Sequence, residues 1–210
     1  MNESAMIFDR HAQEYDRWFD LHDAEFQAEL IALRKVMPDG GHALEIGVGT
    51  GRFALALNIQ TGLEPAEGMA EIARSRGIHV INGFAEQLPF HDSSFDTVVM
   101  ITVLCFLKDP ENALPEIKRI IKPNGVFVLA ILDKESPLGK MYQQTKESNE
   151  YFRNANFFSA EACVKLLDKA GFAIEESWQT LFGLTAEDVQ QPQPGYGQGG
   201  FVVFKTICKY

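Results

Sequence analysis

The sequence predicts an α/β domain of the doubly wound type, a mainly parallel sheet covered by helices on both faces. Three observations carry this. Five short apolar runs, at 43–46, 60–63, 78–82, 97–101 and 126–132, show little alternation, as strands buried on both faces do. Segments with helical character, at 66–76 and 110–121, separate several of them and supply the crossovers that parallel neighbours need. The first run also ends in a glycine-rich turn, Gly47, Gly49 and Gly51, that opens a helix at Arg52.

Taken in order, the first forty residues mix charge with Phe8, Tyr15, Trp18, Phe19, Phe26 and Leu33, a pattern that predicts one or two amphipathic helices. Pro38, Asp39, Gly40 and Gly41 stop them. Pro115 falls inside the 110–121 helix and predicts a kink, because proline removes a backbone bond at about 3 kcal/mol. A polar stretch follows at 133–156. Ser159 then reads as the N-cap of a helix that runs to Ala170 and stops at Gly171. Runs at 172–182 and 201–208 read as closing strands, joined by a Gln/Pro/Gly-rich loop that is long for a hairpin.

Composition narrows the function classes. With 46% hydrophobic and 23% charged residues, the 210-residue chain can bury one sizeable core, so a single domain over 1–210 is the default. A net charge of -10 repels polyphosphate and counts against a nucleic-acid partner, leaving a small molecule as the better expectation. The basic cluster of Lys118, Arg119 and Lys122 reads as a solvated helix face. Cys105, Cys163 and Cys208 form no CxxC pair and the five histidines show no metal spacing, so neither a disulfide framework nor a metal site is expected. With no basic flank followed by an apolar run at the start, and no stretch near the roughly 18 apolar residues a membrane span needs, a cytoplasmic setting is expected.

The residues that carry chemistry gather at strand ends. Glycines after the first strand permit a tight turn and let a ligand approach the backbone, and the helix start offers free N–H groups. The spacing is GxGxG; the dinucleotide fingerprint needs a small residue where Arg52 stands. Glu64, after Gly62 and Leu63, places a carboxylate at the end of the second strand, where it can accept hydrogen bonds from a ribose diol. The competing reading makes Glu64 a surface acid capping the next helix, and Glu45 a residue that only ties the loop together.

Further motifs follow in register: Phe8 and Asp9 with Tyr15, Asp16, Arg17 and Trp18; Glu45 to Gly51; Gly62, Leu63, Glu64 and Pro65 with Met69; Gly83 to Phe90 with Ser94, Phe95 and Asp96; Glu116 to Arg119 with Lys122, Pro123, Asn124 and Gly125; and Leu166 to Phe172. In these, from about Phe8 to Lys205, the chain resembles the class I S-adenosylmethionine-dependent methyltransferases, in particular the branch related to the ubiquinone/menaquinone methylating enzymes. The resemblance implies a Rossmann-like, seven-stranded sheet with a reversed final strand, an N-terminal helical lid over 1–40, a cofactor-binding core over 41–132, and an acceptor-side insertion with closing strands over 133–210. It implies S-adenosylmethionine as cofactor. Glu45 and the backbone of Gly47 and Gly49 would face the methionine part, Glu64 the ribose and Met69 the adenine, with Ala85 and Glu86 at its edge, Val103 and Leu104 near the sulfonium, and Tyr15 closing the lid. The chain departs from the pattern at Phe84, where relatives often carry an aspartate for the adenine amino group, and at Cys105 and Phe106, where relatives commonly show histidines.

Transfer from a sulfonium is an in-line displacement on an activated carbon, so positioning and desolvation suffice and a general base is optional. Tyr15, Trp18 and Phe106 are candidate aromatic neighbours of the positive charge, and His11 and His22 the histidines within reach of an acceptor. Acceptor choice is expected from the lid, from 133–158 and from the 184–200 loop, with Tyr142, Tyr151, Phe157, Phe158 and Tyr196 as walls. A nicotinamide-dependent dehydrogenase and a non-catalytic cofactor-binding protein of the same fold are the alternatives.

Overall fold

A computed structural model describes residues 3–184 and 188–209. Strands β1 (Ala43–Ile46), β2 (Thr61–Leu63), β3 (His79–Ile81), β4 (Phe95–Ile101) and β5 (Ile121–Leu132) are followed by β6 (Phe172–Thr180), β7 (Gln193–Pro194) and β8 (Phe201–Cys208). They form one sheet in the order β3-β2-β1-β4-β5-β8-β6-β7. The first five run parallel, while β8 inserts antiparallel between β5 and β6, the reversed final strand that was expected. The sheet has eight strands. The added β7 is a two-residue edge pairing with Trp178 and Gln179, and a proline there has no ladder to break on its open side, so no strand pattern marks it in the sequence.

Neighbouring residues on a strand feed two separate cores. Val99, Ile101, Val128 and Val203 pack with Leu30, Leu33, Phe53 and Ala70, whereas Val98, Met100, Leu129 and Val202 pack with Leu114, Ile117, Cys163 and Leu167. This division is why the strands read as unbroken apolar runs. Helix α6 (Pro110–Ile120) belongs to the second core and runs unbroken through Pro115. Its Ala113, Leu114, Ile117 and Ile120 are fully buried, and burying a large aliphatic side chain contributes about 1.5–3 kcal/mol, enough to offset the proline. Asp109 caps it, accepting from the Asn112 amide. Ser159 likewise caps α8 (Ala160–Lys169), which ends at Gly171 with φ +81°.

Three helices precede β1 where one or two were expected: α1 (Glu3–Arg10), α2 (Ala12–Leu21) and α3 (Asp23–Val36). The chain turns at His11 and His22, whose non-helical backbones carry no glycine or proline signal. The polar stretch at 133–156 also holds a helix, α7 (Pro137–Thr145), capped by Ser136 through the Gly139 amide. The basic cluster is not a solvated face. Lys118 caps the Gly171 and Lys209 carbonyls, Arg119 binds Glu116 and Asp92, and Lys122 lies in β5 paired with Asp96.

β1 has β2 on one side and β4 on the other, so the strand order reverses at β1. In open α/β sheets a crevice forms beyond the carboxyl ends of strands at such a switch point.

Candidate active site

The turn after β1 is folded onto the end of β2. Gly47 and Val48 donate to the Leu63 carbonyl, and Gly49 donates to Glu64 Oε2 at 2.9 Å. Gly47 has φ +69°, and a Cβ there would meet Val103 Cγ2 at 2.4 Å. Gly49 has φ +55° but faces open space, with nothing within 4 Å of its notional Cβ. One glycine therefore permits close packing, and the other leaves room above the turn for a ligand.

Two carboxylates lie beneath this space. Glu64 is 7% exposed, not a surface acid; it bridges the Gly49 amide and, at 3.0 Å, the Ala66 amide at the head of α5 (Glu67–Ser75). Burial pushes its carboxyl up to about 7 against those two N–H groups. Each oxygen keeps a lone-pair site for a further donor, such as a ribose hydroxyl. Glu45 is 2% exposed, accepts from the Ala54 backbone, and leaves Oε2 buried with no partner among the described residues. Burial, then the neighbouring Glu64, raises its carboxyl well above the usual range. Glu64, on the cleft wall with free lone pairs, and the open face of Gly49 fit the ribose and amino acid ends of S-adenosylmethionine.

Tyr15, Gly47, Gly49, Glu64, Met69, Ala85, Glu86 and Val103 line one cleft, closed above by Ala5 and Phe8 of α1. Glu45 lies behind the turn and not on the cleft wall. Leu104 departs from expectation: in the 3-10 turn Leu104–Phe106 it points into the second core and reaches only a small separate cavity with Cys105, Phe157 and Phe158. Phe84 does line the cleft, and Glu86 Oε1 accepts from the Lys108 amide.

The N-terminal helices are latched by charge. Asp16 of α2 receives Arg52 at 2.9 Å and Arg76 at 2.8 Å, and Arg52 also binds Asp20. Burial alone would raise the Asp16 carboxyl, but the two guanidinium groups hold it well below the usual carboxylate range. Asp9 accepts from the Gly68 amide at 2.7 Å, where a Cβ would meet the Asp9 carbonyl. Arg52, which breaks the dinucleotide pattern, thus ties the glycine turn to α2. Tyr15 is thereby held over the cleft. Its hydroxyl is raised by burial and then by Glu29, Glu64 and Glu45.

A second cavity, of about 680 Å³, adjoins the cleft. Phe8, Tyr15, Thr102 and Phe106 line both. Tyr142 and Tyr151 are walls of this cavity, as expected from the sequence. Phe157 and Phe158 line the small separate cavity instead, and Tyr196 packs on Phe204, 42% exposed, away from both spaces. Gly183 and Leu184 reach the second cavity; residues 185–187 of the proposed loop lie outside the described residues. His22 lines the cavity, stacked on Trp18 at 4.3 Å, whereas His11 does not and contacts Glu14 and Glu150.

Sequence reasoning missed three contributors. Thr102 follows β4 with φ +55°, a conformation strained for a β-branched residue, at the boundary of cleft and cavity. Its position after a buried strand was the available signal. Glu29, on α3, and Phe53, after the glycine turn, enter the cavity through folding that brings distant segments together.

Residues 44–129 match a family model described as a methyltransferase domain. An uncharacterized protein of Methanocaldococcus jannaschii is 42% identical over 95% of this chain and 98% of its own. Demethylmenaquinone methyltransferase of Staphylococcus aureus is 26% identical over 79% of this chain and 83% of its own. A crystal structure from Thermotoga maritima, described as a SAM-dependent methyltransferase and possible histamine N-methyltransferase, superposes with a TM-score of 0.93 at 46% identity, covering 97% of this chain and 99% of that one. The chain is a methyltransferase and belongs to the class I S-adenosylmethionine-dependent family.

Proposed function

We propose that this enzyme methylates a small molecule with a largely apolar body, held in the 680 Å³ cavity beside the cofactor cleft. The observation that carries this reading is the shared boundary. Phe8, Tyr15, Thr102 and Phe106 line both spaces, so two ligands can meet there while protein excludes water from the contact.

When bound, S-adenosylmethionine supplies an activated methyl group on sulfur. The chain's own residues would position it: the Gly47–Gly49 backbone would take the methionine end, Glu64 the ribose, Met69 with Ala85 and Glu86 the adenine, and Val103 the region of the sulfur, while Glu45, off the cleft wall, would act only through the turn beside it. Leu104 has no part, since it faces the core. Phe106 and Tyr15 present rings where the positive charge sits, a contact contributing about 0.5–2 kcal/mol. Tyr15 keeps its proton throughout the neutral range, so it orients and does not act as a base. The acid-rich surface and the concave, ring-lined cavity favour a small acceptor over a nucleic acid. The Thermotoga and Staphylococcus relatives, one tied in its description to histamine and the other to demethylmenaquinone, are both named for small acceptors.

Incubation with methyl-labelled S-adenosylmethionine and a panel of small aromatic amines, phenols and quinols tests the reading. Label is expected in at least one acceptor and in none when Phe106 is replaced by aspartate. Protein that binds the cofactor yet labels no member would overturn it.

A further inference from the structure

Glu29 is a buried acid that the transfer step does not use. It sits in the second turn of α3, 6% exposed, and lines the acceptor cavity. Among the described residues it makes no hydrogen bond and no ion pair. Burial pushes its carboxyl up to about 8, with a smaller push from the charge of Glu25. Among the described residues no cation pairs with it: Arg17 of α2 and His22 just after it line the cavity without pairing, Glu14 of α2 lies on the same wall, Glu25 of α3 adds negative charge, and Tyr15, Tyr142 and Tyr151 are neutral. Around this acid the walls are rings, among them Trp18, Phe53 and Tyr142.

A buried carboxyl without a partner is unfavourable unless a ligand brings hydrogen-bond donors, and an ionised one calls for positive charge. Aromatic faces around it favour the same kind of ligand.

We propose that the Glu29 carboxylate receives the protonated amine of the methyl acceptor, whose apolar body lies among Trp18, Phe53 and Tyr142. This rests on the reading of the cavity as the acceptor site. An ammonium has no lone pair, so the nitrogen held by Glu29 is an anchor, and the attacked atom lies elsewhere on the acceptor. The class is therefore a small apolar amine with a second nucleophilic atom.

Calorimetric titration at pH 7 with 2-phenylethylamine and with neutral 2-phenylethanol, in the presence and absence of S-adenosylhomocysteine, tests the anchor. The amine is expected to bind at least about tenfold more tightly than the alcohol, as a charge-assisted bond requires. Since the free carboxyl is mostly protonated at pH 7 and the bound one ionised, binding should release up to about one proton, read from the dependence of the enthalpy on buffer. Glu29→Gln should abolish both the preference and the proton release while leaving S-adenosylhomocysteine affinity and melting temperature near those of the parent; Glu29→Asp should keep part of the preference. Equal affinities, a preference that survives in Glu29→Gln, or no binding of the amine would overturn the proposal. Failure of S-adenosylhomocysteine to bind would instead count against the cofactor cleft, and the amine titrations without it still decide on Glu29.

Discussion

The cleft and the cavity share four residues but are built on opposite plans. On the cleft side, a backbone turn sets the plan: the Gly47–Gly49 turn and the Glu64 carboxylate that binds its amide, both held at the ends of β1 and β2. Side chains dominate the cavity, with rings contributed by α2, α7 and the 149–152 turn. A backbone cradle fixes one ligand shape, because changing it means refolding a turn; a side-chain wall changes with single substitutions. On the proposed reading of the two spaces, the cofactor is specified by the fold and the acceptor by the sequence laid over it.

The two glycines give the strongest way to break that contrast. At Gly47 a methyl would clash with Val103 on a left-handed backbone, so Gly47→Ala should lose about 2–5 kcal/mol in urea denaturation. Gly49→Ala has open space and should lose only about 1–2 kcal/mol, while its methyl intrudes on the ligand and weakens S-adenosylhomocysteine at least about tenfold. Equal stability losses at both positions would mean that the turn is not divided between packing and ligand.

Next in size is the pH dependence of the ligand-free protein. Glu29 and Glu64 have folded pKa values near 8 and 7, above their usual 4.5, so the folded state holds more protons in between. Their contribution to stability is fully present below about pH 4.5 and falls as pH rises from there to about 8. Asp16, held low, acts in the opposite sense only in stronger acid. Thermal melts from pH 5 to 8.5 should show the decline, with Glu29→Gln flattening its upper part. A rise across that range would contradict the burial of both acids.

The latch comes third. Asp16→Asn removes the charge that binds Arg52 and Arg76 and should cost about 1–3 kcal/mol, with faster amide exchange in α1 and α2 while β4 and β5 keep their protection. Smallest is the wall. Tyr142→Ala should raise the acceptor KM without altering S-adenosylhomocysteine affinity, and Tyr196→Ala should alter neither.

How much of this was legible in the sequence follows the same division. The strands β4, β5 and β8 were readable because both their faces are largely buried, and eight of the ten named cofactor residues line the cleft, most of them at strand ends. Leu104 was misplaced because a 3-10 turn rotates it inward, a one-residue matter that no motif spacing encodes. Of five expected acceptor walls only Tyr142 and Tyr151 line the cavity, since aromatic content does not say which way a ring points. Glu29 looked like one more helix acid; α3 is buried where it packs on β6 and β8, contacts distant in the chain.

The cradle itself is tested most directly by calorimetric titration of S-adenosylhomocysteine at pH 8, where Glu64 is mostly ionised, into the parent protein and Glu64→Gln. Two ribose hydroxyls bonded to a carboxylate predict a loss of about 10- to 100-fold in the variant, with its fold intact by circular dichroism. An unchanged dissociation constant would contradict the placement of the adenosyl group over β1 and β2.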